Sequence, residues 1–526
     1  MRILIINLTR FGDLLQSQAV IHGLRQQGHE IGLICQQNFA PAATLLDGLS
    51  HMTPLPGGRL LSGLDAGWPD AVLTLHAWME TLIREFMPEA VLNLTASTAA
   101  KLLARRFAGA GKISGFGMDE HGFGVYGSAW TAFFEASTRR RGCSPYNIVD
   151  LFLRASGLHA PAMHRLRQPD TAQSTLVGQS LRQEAPACSG HVAFQLGASE
   201  ARRQWPAEQF AALGVRLWEH FGLMPILLGT PNERDLAERY LAAGGPGIDR
   251  VGRTSLPELA AILHQVRLLV SNDTGTLHLA AGLGIPCLAL FLATAQPWDT
   301  GPYLEGCCSL EPALPCHPCA FGSSCGQDMR CVRHIAAEVV WPLLASYLRD
   351  MTWTCPPDTA AQARVWVSSR DDRGYMDLRS LSGHDTEDRS LWIRLQRHMY
   401  RQFLDEVDGL TTTPPPEAEL VQSAADLSLE LRVRQRHILK QADALLHLFQ
   451  EQGRLTLMRP AGPHGRQFLA TSQRLENLFD GQDAFNVLSR LWKSLTQERA
   501  DNLRNLIAFG DLLRHTLNTW RNLLPE

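Results

Sequence analysis

No apolar run in this chain approaches the roughly 20 residues that a membrane-crossing helix needs; Cys287 to Ala295 comes nearest. A membrane-embedded chain is therefore not expected. Nor is there a basic excess. Lys and Arg number 49 against 52 Asp and Glu, a formal net charge of -3, which removes the general electrostatic reason to expect a nucleic-acid partner. Eleven cysteines in 526 residues are too few and too clustered for a disulfide scaffold. Met1 to Ile6 has one basic residue and an apolar stretch too short for a signal peptide, and reads instead as a first strand. A cytoplasmic enzyme with reduced or metal-bound cysteines is the expectation. The glycine fingerprint G-x-G-x-x-G is missing too: after the first strand stands Thr9-Arg10-Phe11-Gly12-Asp13, and no acidic residue closes strand two. That counts against a dinucleotide-dependent oxidoreductase.

What is present suits a large soluble fold. With 45% hydrophobic and 19% charged residues the chain can bury full cores, and its length suggests about three domains. From residue 1 to about 350, short β-rich runs alternate with helical stretches, the pattern of parallel sheets wrapped by helices. The first sheet is expected from Ile3 to Leu8, Ile31 to Cys35, Ala90 to Leu94 and Lys112 to Phe116. The second is expected from Val192 to Leu196, Met224 to Leu228, Arg267 to Val270 and Pro286 to Leu292. A polar stretch from about His159 to Thr175, with Pro161 and Pro169, reads as a hinge. After Pro356-Pro357 and a short β-prone piece, Val365-Trp366-Val367, long amphipathic helices follow, broken at Thr411 to Pro416. The expected division is residues 1–170, 171–355 and a helical bundle over 356–526.

The most informative segment is Ser271 to Gly284. Leu268-Leu269-Val270 is a buried strand, and Leu277, Ala280, Ala281 and Leu283 follow at helical spacing, so Thr274, Gly275 and Thr276 open a helix whose N–H groups and dipole favour a phosphate. Three other motifs precede it: Arg10-Phe11-Gly12-Asp13-Leu14-Leu15, Gly197-Ala198-Ser199 with Arg203-Gln204-Trp205-Pro206, and Leu228-Gly229 with Glu233. In that order, and closed by His278, they resemble glycosyltransferase family 9, the ADP-heptose:lipopolysaccharide heptosyltransferases. The resemblance covers roughly the first 350 residues. It implies an α/β GT-B fold, two Rossmann-like domains facing across a cleft, with the helical region as an addition.

The activity implied is inverting transfer of heptose, or a related sugar, from ADP-heptose or another nucleotide-diphosphate sugar. The acceptor would be a lipopolysaccharide core, another surface glycan, a glycolipid or a protein. Such transfer needs a base for the acceptor hydroxyl and cations or dipoles for the departing diphosphate. Asp13 is the implied base, although an Asp before a helix also serves as a cap. Arg203 is the implied diphosphate cation, where the family usually has Lys; Arg202 could replace it. Asp273, Thr274 and Gly275 are implied donor residues, with His278 secondary and Glu233 near the nucleotide ribose. Thr276 replaces a Pro often found there. No Asp-x-Asp clamp is apparent between the sheets, so no catalytic cofactor is expected. Cys316, Cys319, Cys325 and Cys331, in a loop spanning 307–331, could close a structural tetrahedral site for zinc or iron. A second reading makes the chain a non-catalytic assembly protein acting through its helical tail. That tail could also carry oligomer or partner contacts or touch the inner membrane peripherally.

Overall fold

The computed structural model describes residues 1–109, 111–138, 144–159, 162–410 and 418–526. The Thr411 to Pro416 break and Pro161 lie outside them. The chain forms two compact units, one of Met1–Gly124 with Tyr146–Gly383, the other of Val125–Pro145 with His384–Glu526.

In the first unit, β1 (Arg2–Asn7), β2 (Glu30–Gln36), β3 (His51–Leu55), β4 (Ala90–Asn93) and β5 (Ile113–Met118) form one sheet in the order β3-β2-β1-β4-β5, and the short β6 (Gly124–Tyr126) begins where the unit's first stretch ends. Pairing is parallel from β3 through β5. Leu4, Ile5 and Ile6 are fully buried, as expected of a central strand covered on both faces. The sequence reading lacks β3 because His51-Met52-Thr53-Pro54-Leu55 is half-buried throughout and carries no apolar run.

The second sheet holds β7 (Gly190–Gln195), β8 (Leu223–Leu228), β9 (Ile248–Asp249), β10 (Val266–Asn272), β11 (Cys287–Leu290), β12 (Cys308–Pro312), β13 (Ala363–Arg370) and β14 (Met376–Ser380). Their order is β14-β13-β12-β11-β10-β7-β8-β9. The strands from β12 to β9 are parallel, while β13 and β14 add antiparallel pairs at one edge. The Val365 to Val367 piece is thus the middle of an eight-residue strand, and this unit runs to Gly383, beyond the expected boundary at 355. Hydrophobic pattern explains the shift: Ala363, Val365 and Val367 pack in the same core as Val192, Phe194 and Trp205.

Both sheets reverse strand order beside their first strand, between β1 and β4 and between β7 and β10. Open α/β sheets bind ligands outside the carboxyl ends of the strands at such switch points. The segments after β1, β7 and β10 are the motif segments. Between the halves, the described part of the expected hinge is held: the Leu166 amide donates to the Gly282 carbonyl at 2.8 Å, and the Arg167 amide to the Leu45 carbonyl at 2.8 Å.

The second unit is helical, with helices Asp388–Val407, Ala418–Asp426, Leu429–Met458, His464–Asp480, Asn486–Glu498 and Leu503–Leu523. It also includes the Ala129–Thr138 helix from far earlier in the chain, whose Trp130 indole donates to Asp405 at 2.8 Å and whose Phe133 ring lies 4.8 Å from Tyr400. Aromatic rings fill its core: Phe449 stacks on Phe468 at 4.1 Å and Trp492 on Phe509 at 5.4 Å. Of the basic stretch Arg432, Arg434, Arg436 and Lys440, Arg436 is spent on the carbonyls of Arg521 and Leu524.

Candidate functional site

The turn after β10 is built around Asn272, which is completely buried. Its amide donates to the carbonyls of Leu196 at 2.9 Å and Gly197 at 3.2 Å, and its oxygen accepts from the Trp205 amide at 2.9 Å. One side chain therefore ties the end of β10 to both ends of the loop that follows β7. That loop carries Arg203, whose guanidinium is buried against the Asp273 carboxylate and also donates to Ser199 Oγ at 3.1 Å. Thr300 Oγ1 lies 3.3 Å from the same Asp273 carboxylate oxygen. Arg202 points elsewhere, to Glu200 at 2.7 Å and the Ser323 carbonyl at 2.8 Å. Burying an ion pair this deeply is costly unless its charges are fully engaged, so the site is built for geometry more than for stability.

Thr274, in extended conformation, caps the Gly275–Leu283 helix. Its neighbour Thr276 bonds Gln195 Oε1 at 2.9 Å, which fastens the first turn to the end of β7 and gives a use for Thr where the family often has Pro. Glu233 accepts from the Thr230 amide at 2.6 Å, and it also leans over the β7 loop. A Cβ on Gly197 would stand 1.8 Å from Glu233 Oε1, so only glycine leaves room for that carboxylate.

Asp13 sits in the first turn of the Phe11–Gln16 helix, half-buried, three residues past the N-cap Arg10. It is a first-turn acid rather than the cap of a helix starting at Leu14. Asn7 holds it from below, donating to the Asp13 carbonyl at 3.3 Å. This turn meets the Gly275 turn in direct contact: a Cβ on Gly12 would lie 2.7 Å from His278 Cδ2 and 3.2 Å from Gly275 Cα, and one on Gly275 would lie 2.1 Å from Phe11. Two helix N-termini thus converge, one from each half, and their positive ends favour an anion between or beside them. The structure brings Asp13, Thr274, Gly275 and His278 into one neighbourhood, with Asp273 and Arg203 adjoining; Glu233 borders it from the β8 side.

His278 lies near His164, which sits against Gly282 and is 8% exposed. Burial, then the charges of His278 and Arg370, push His164 down to about 3, so its ring is neutral at physiological pH. Sequence reasoning missed His164, Asn272 and Thr300. Asn272 at least lies inside the quoted motif; Thr300, in Gln296-Pro297-Trp298-Asp299-Thr300, carries no pattern signal.

Cys316, Cys319, Cys325 and Cys331 lie near enough to one another for their thiols to interact electrostatically. Cys316 and Cys325 are exposed, Cys319 is half-buried and Cys331 is buried. Among the described residues no three His, Cys, Asp or Glu side chains form a group that could hold a metal ion. The sulfurs are engaged locally instead: Cys325 Sγ accepts from the Gln327 and Met329 amides at 3.4 and 3.3 Å, and Cys319 Sγ donates to the Cys316 carbonyl at 3.8 Å. Burial and the neighbouring thiols of Cys331, Cys316 and Cys325 raise the Cys319 thiol above its ordinary value. Cys307 and Cys308 are buried in the sheet core, Cys308 opening β12.

Residues 149–324 match Glycosyltransferase family 9 (heptosyltransferase). The chain is 35% identical over 129 residues to lipopolysaccharide heptosyltransferase 1 of Pseudomonas aeruginosa, covering 24% of this chain and 36% of that protein. Against the protein of the same name from Campylobacter coli it is 24% identical over 314 residues, 56% of this chain and 84% of the relative. The matches to the Pseudomonas aeruginosa and Salmonella typhimurium relatives each span only 36% of the relative's length. The fold is similar to that of E. coli ADP-heptose lps heptosyltransferase II, with TM-score 0.50 and 17% identity, over 67% of this chain and all of that one. Over residues 149–324 the chain is thus similar to glycosyltransferase family 9, and its α/β unit is similar in fold to a solved heptosyltransferase.

Proposed function

We propose that this chain is an inverting glycosyltransferase that moves heptose, or a related sugar, from ADP-heptose or another nucleotide-diphosphate sugar to a lipopolysaccharide-core, surface-glycan or protein acceptor. The observation that carries this reading is the meeting of the Asp13 turn with the Gly275 turn beside the Arg203–Asp273 pair. In this reading Asp13 takes the proton of the attacking acceptor hydroxyl, and the oxygen forms its bond to the anomeric carbon as the bond to the diphosphate breaks. Arg203 and the amides of Gly275 and Thr276 receive the charge on the departing diphosphate. Asp273 binds sugar hydroxyls, His278 borders the same space and Glu233 lies toward the nucleotide ribose.

A donor screen with purified protein, measuring release of nucleoside diphosphate from ADP-heptose and other activated sugars, tests the reading. Turnover that needs Asp13 supports it; equal rates in wild type and Asp13→Ala remove Asp13 as the base. No helix among the described residues is long and apolar enough to cross a membrane. Peripheral contact with a lipid surface is part of the same proposal. It is supported by the exposed Leu61 and Leu64 before, and Trp68, Val72 and Leu73 after, the break at Gly67 in the helical stretch Gly57–Phe86. Flotation with anionic vesicles, compared between wild type and Trp68→Asp, tests it. Oligomer or partner contacts through the helical unit complete the proposal, and sedimentation of the purified chain tests the first of these.

A further inference from the structure

Asp273 is held by Arg203, and the Thr300 hydroxyl stands 3.3 Å both from its carboxylate and from the Gln296 carbonyl, which share its one proton; Thr300 belongs to a turn that the first half of the unit holds. The turn is tight: the Gly301 amide closes on the Pro297 carbonyl at 2.9 Å, and Tyr303 follows two residues on. Asn147 caps the Ile148–Ala155 helix by accepting from the Val149 amide at 3.0 Å, and its amide donates to the Gly301 carbonyl at 3.0 Å. Asp150, in that helix's first turn, accepts from the Tyr303 hydroxyl at 2.6 Å and from the Met376 amide at 3.1 Å. Arg370 of β13 donates to the Tyr303 oxygen at 2.8 Å and its guanidinium lies 4.3 Å from the ring centre. Asn147, Asp150 and Tyr303 are 1%, 2% and 3% exposed.

Packing alone gives no reason to bury a carboxylate, an amide and a phenol where the Ile148–Ala155 helix meets the second sheet, since apolar side chains of similar size do so at lower cost. What the polar set supplies is a fixed direction for each group. We infer that Asn147, Asp150 and Tyr303 are positioning residues: through the Thr300–Tyr303 turn they aim the Asp273 carboxylate at the donor sugar, so that the donor site is complete only when the Ile148–Ala155 helix is docked. The inference rests on the donor reading above and adds to it Asn147 and Asp150 from the other half. It also assigns a role to β13 and β14, whose Arg370 and Met376 hold Tyr303 and Asp150 from the far side.

The test is binding of ADP-heptose and of ADP, measured by calorimetry on the full chain. Loss of one buried hydrogen bond in the relay corresponds to roughly a tenfold effect. Tyr303→Phe and Thr300→Val are each expected to weaken ADP-heptose about tenfold while changing ADP less than about twofold, since Asp273 serves the sugar and not the nucleotide. Thr300→Ser keeps the hydroxyl and is expected to restore wild-type affinity. The double variant is expected to be no weaker than the weaker single, because both act on one path. Equal losses for both ligands, no loss, or losses that multiply would overturn the inference. If wild type binds ADP-heptose no more tightly than ADP, the donor reading fails first. A crystal structure of Tyr303→Phe then decides the relay by itself: Asp273 turned from Thr300 supports it, and an unchanged pair overturns it.

Discussion

At the edge of the second sheet, Asn272 spends its whole amide on the chain after β7 and Arg203 is locked to Asp273. At the edge of the first, Asp13 is half-buried on a six-residue helix steadied by Asn7. On the proposed reading, the difference follows from what each would do. A diphosphate sugar needs charges and dipoles already aimed before it arrives, since reorienting them during reaction would cost much of their effect. A base needs access to an incoming hydroxyl and must remain able to take and release a proton, which deep burial would oppose.

If that contrast is right, the first edge should fail in rate and the second in binding and folding. Asp13→Ala carries the largest expected effect, a fall in kcat of about 10²–10⁴-fold with ADP-heptose affinity kept, checked by parallel kinetics and calorimetry. Arg203→Ala is expected to lose donor binding and to destabilise the fold by about 3–5 kcal/mol, because Asp273 is left buried and unpaired; urea unfolding measures it. Arg203→Lys, which keeps charge without the fork, should lie between wild type and this variant.

Acid sharpens the contrast further. His164 falls from an ordinary value near 6.5 to about 3 on folding, so the unfolded chain takes up a proton that the folded one refuses. Its contribution is fully present above about pH 6.5 and is lost as pH falls toward 3, at about 1.4 kcal/mol per pH unit, or about 2 kcal/mol by pH 5. Urea midpoints between pH 7 and 5 should therefore drop more steeply in wild type than in His164→Phe; parallel slopes would contradict this. The smallest effect is expected from Glu233→Ala, which removes the bond to the Thr230 amide and costs about 1 kcal/mol in thermal unfolding, with a modest rise in donor Kd.

The alternation of apolar strands and helices made most of both sheets legible, because central parallel strands must be apolar on two faces and Leu4 to Ile6 and Leu268 to Val270 are. The motif positions were legible for a related reason: a switch point leaves a short loop between a strand and a helix N-terminus, and Gly, Ser, Thr and Asp mark such loops. Half-buried β3 and edge strand β14 were not, since neither presents a long apolar run, and of β13 only Val365 to Val367 was. The Ala129–Thr138 helix shows the limit most plainly. It is as apolar as a sheet-covering helix, yet its Trp130 and Phe133 face Asp405 and Tyr400, about 270 residues along the chain.

The four cysteines teach the converse. Their spacing is a one-dimensional fact; the fold brings the four thiols near one another, while local amides and a carbonyl engage Cys325 and Cys319.

The sequence by itself determined which segments became central strands, which loops could bear a diphosphate and which residue types stand there, because those depend on local pattern and on what a helix N-terminus does. Only the tertiary structure decided that Arg203 meets Asp273, that Phe11 and Gly12 press on Gly275 and His278, and that Asp150 reaches Tyr303. Contacts between residues far apart in the chain are set by how whole elements pack. No periodicity along the chain records which side chains will then face one another.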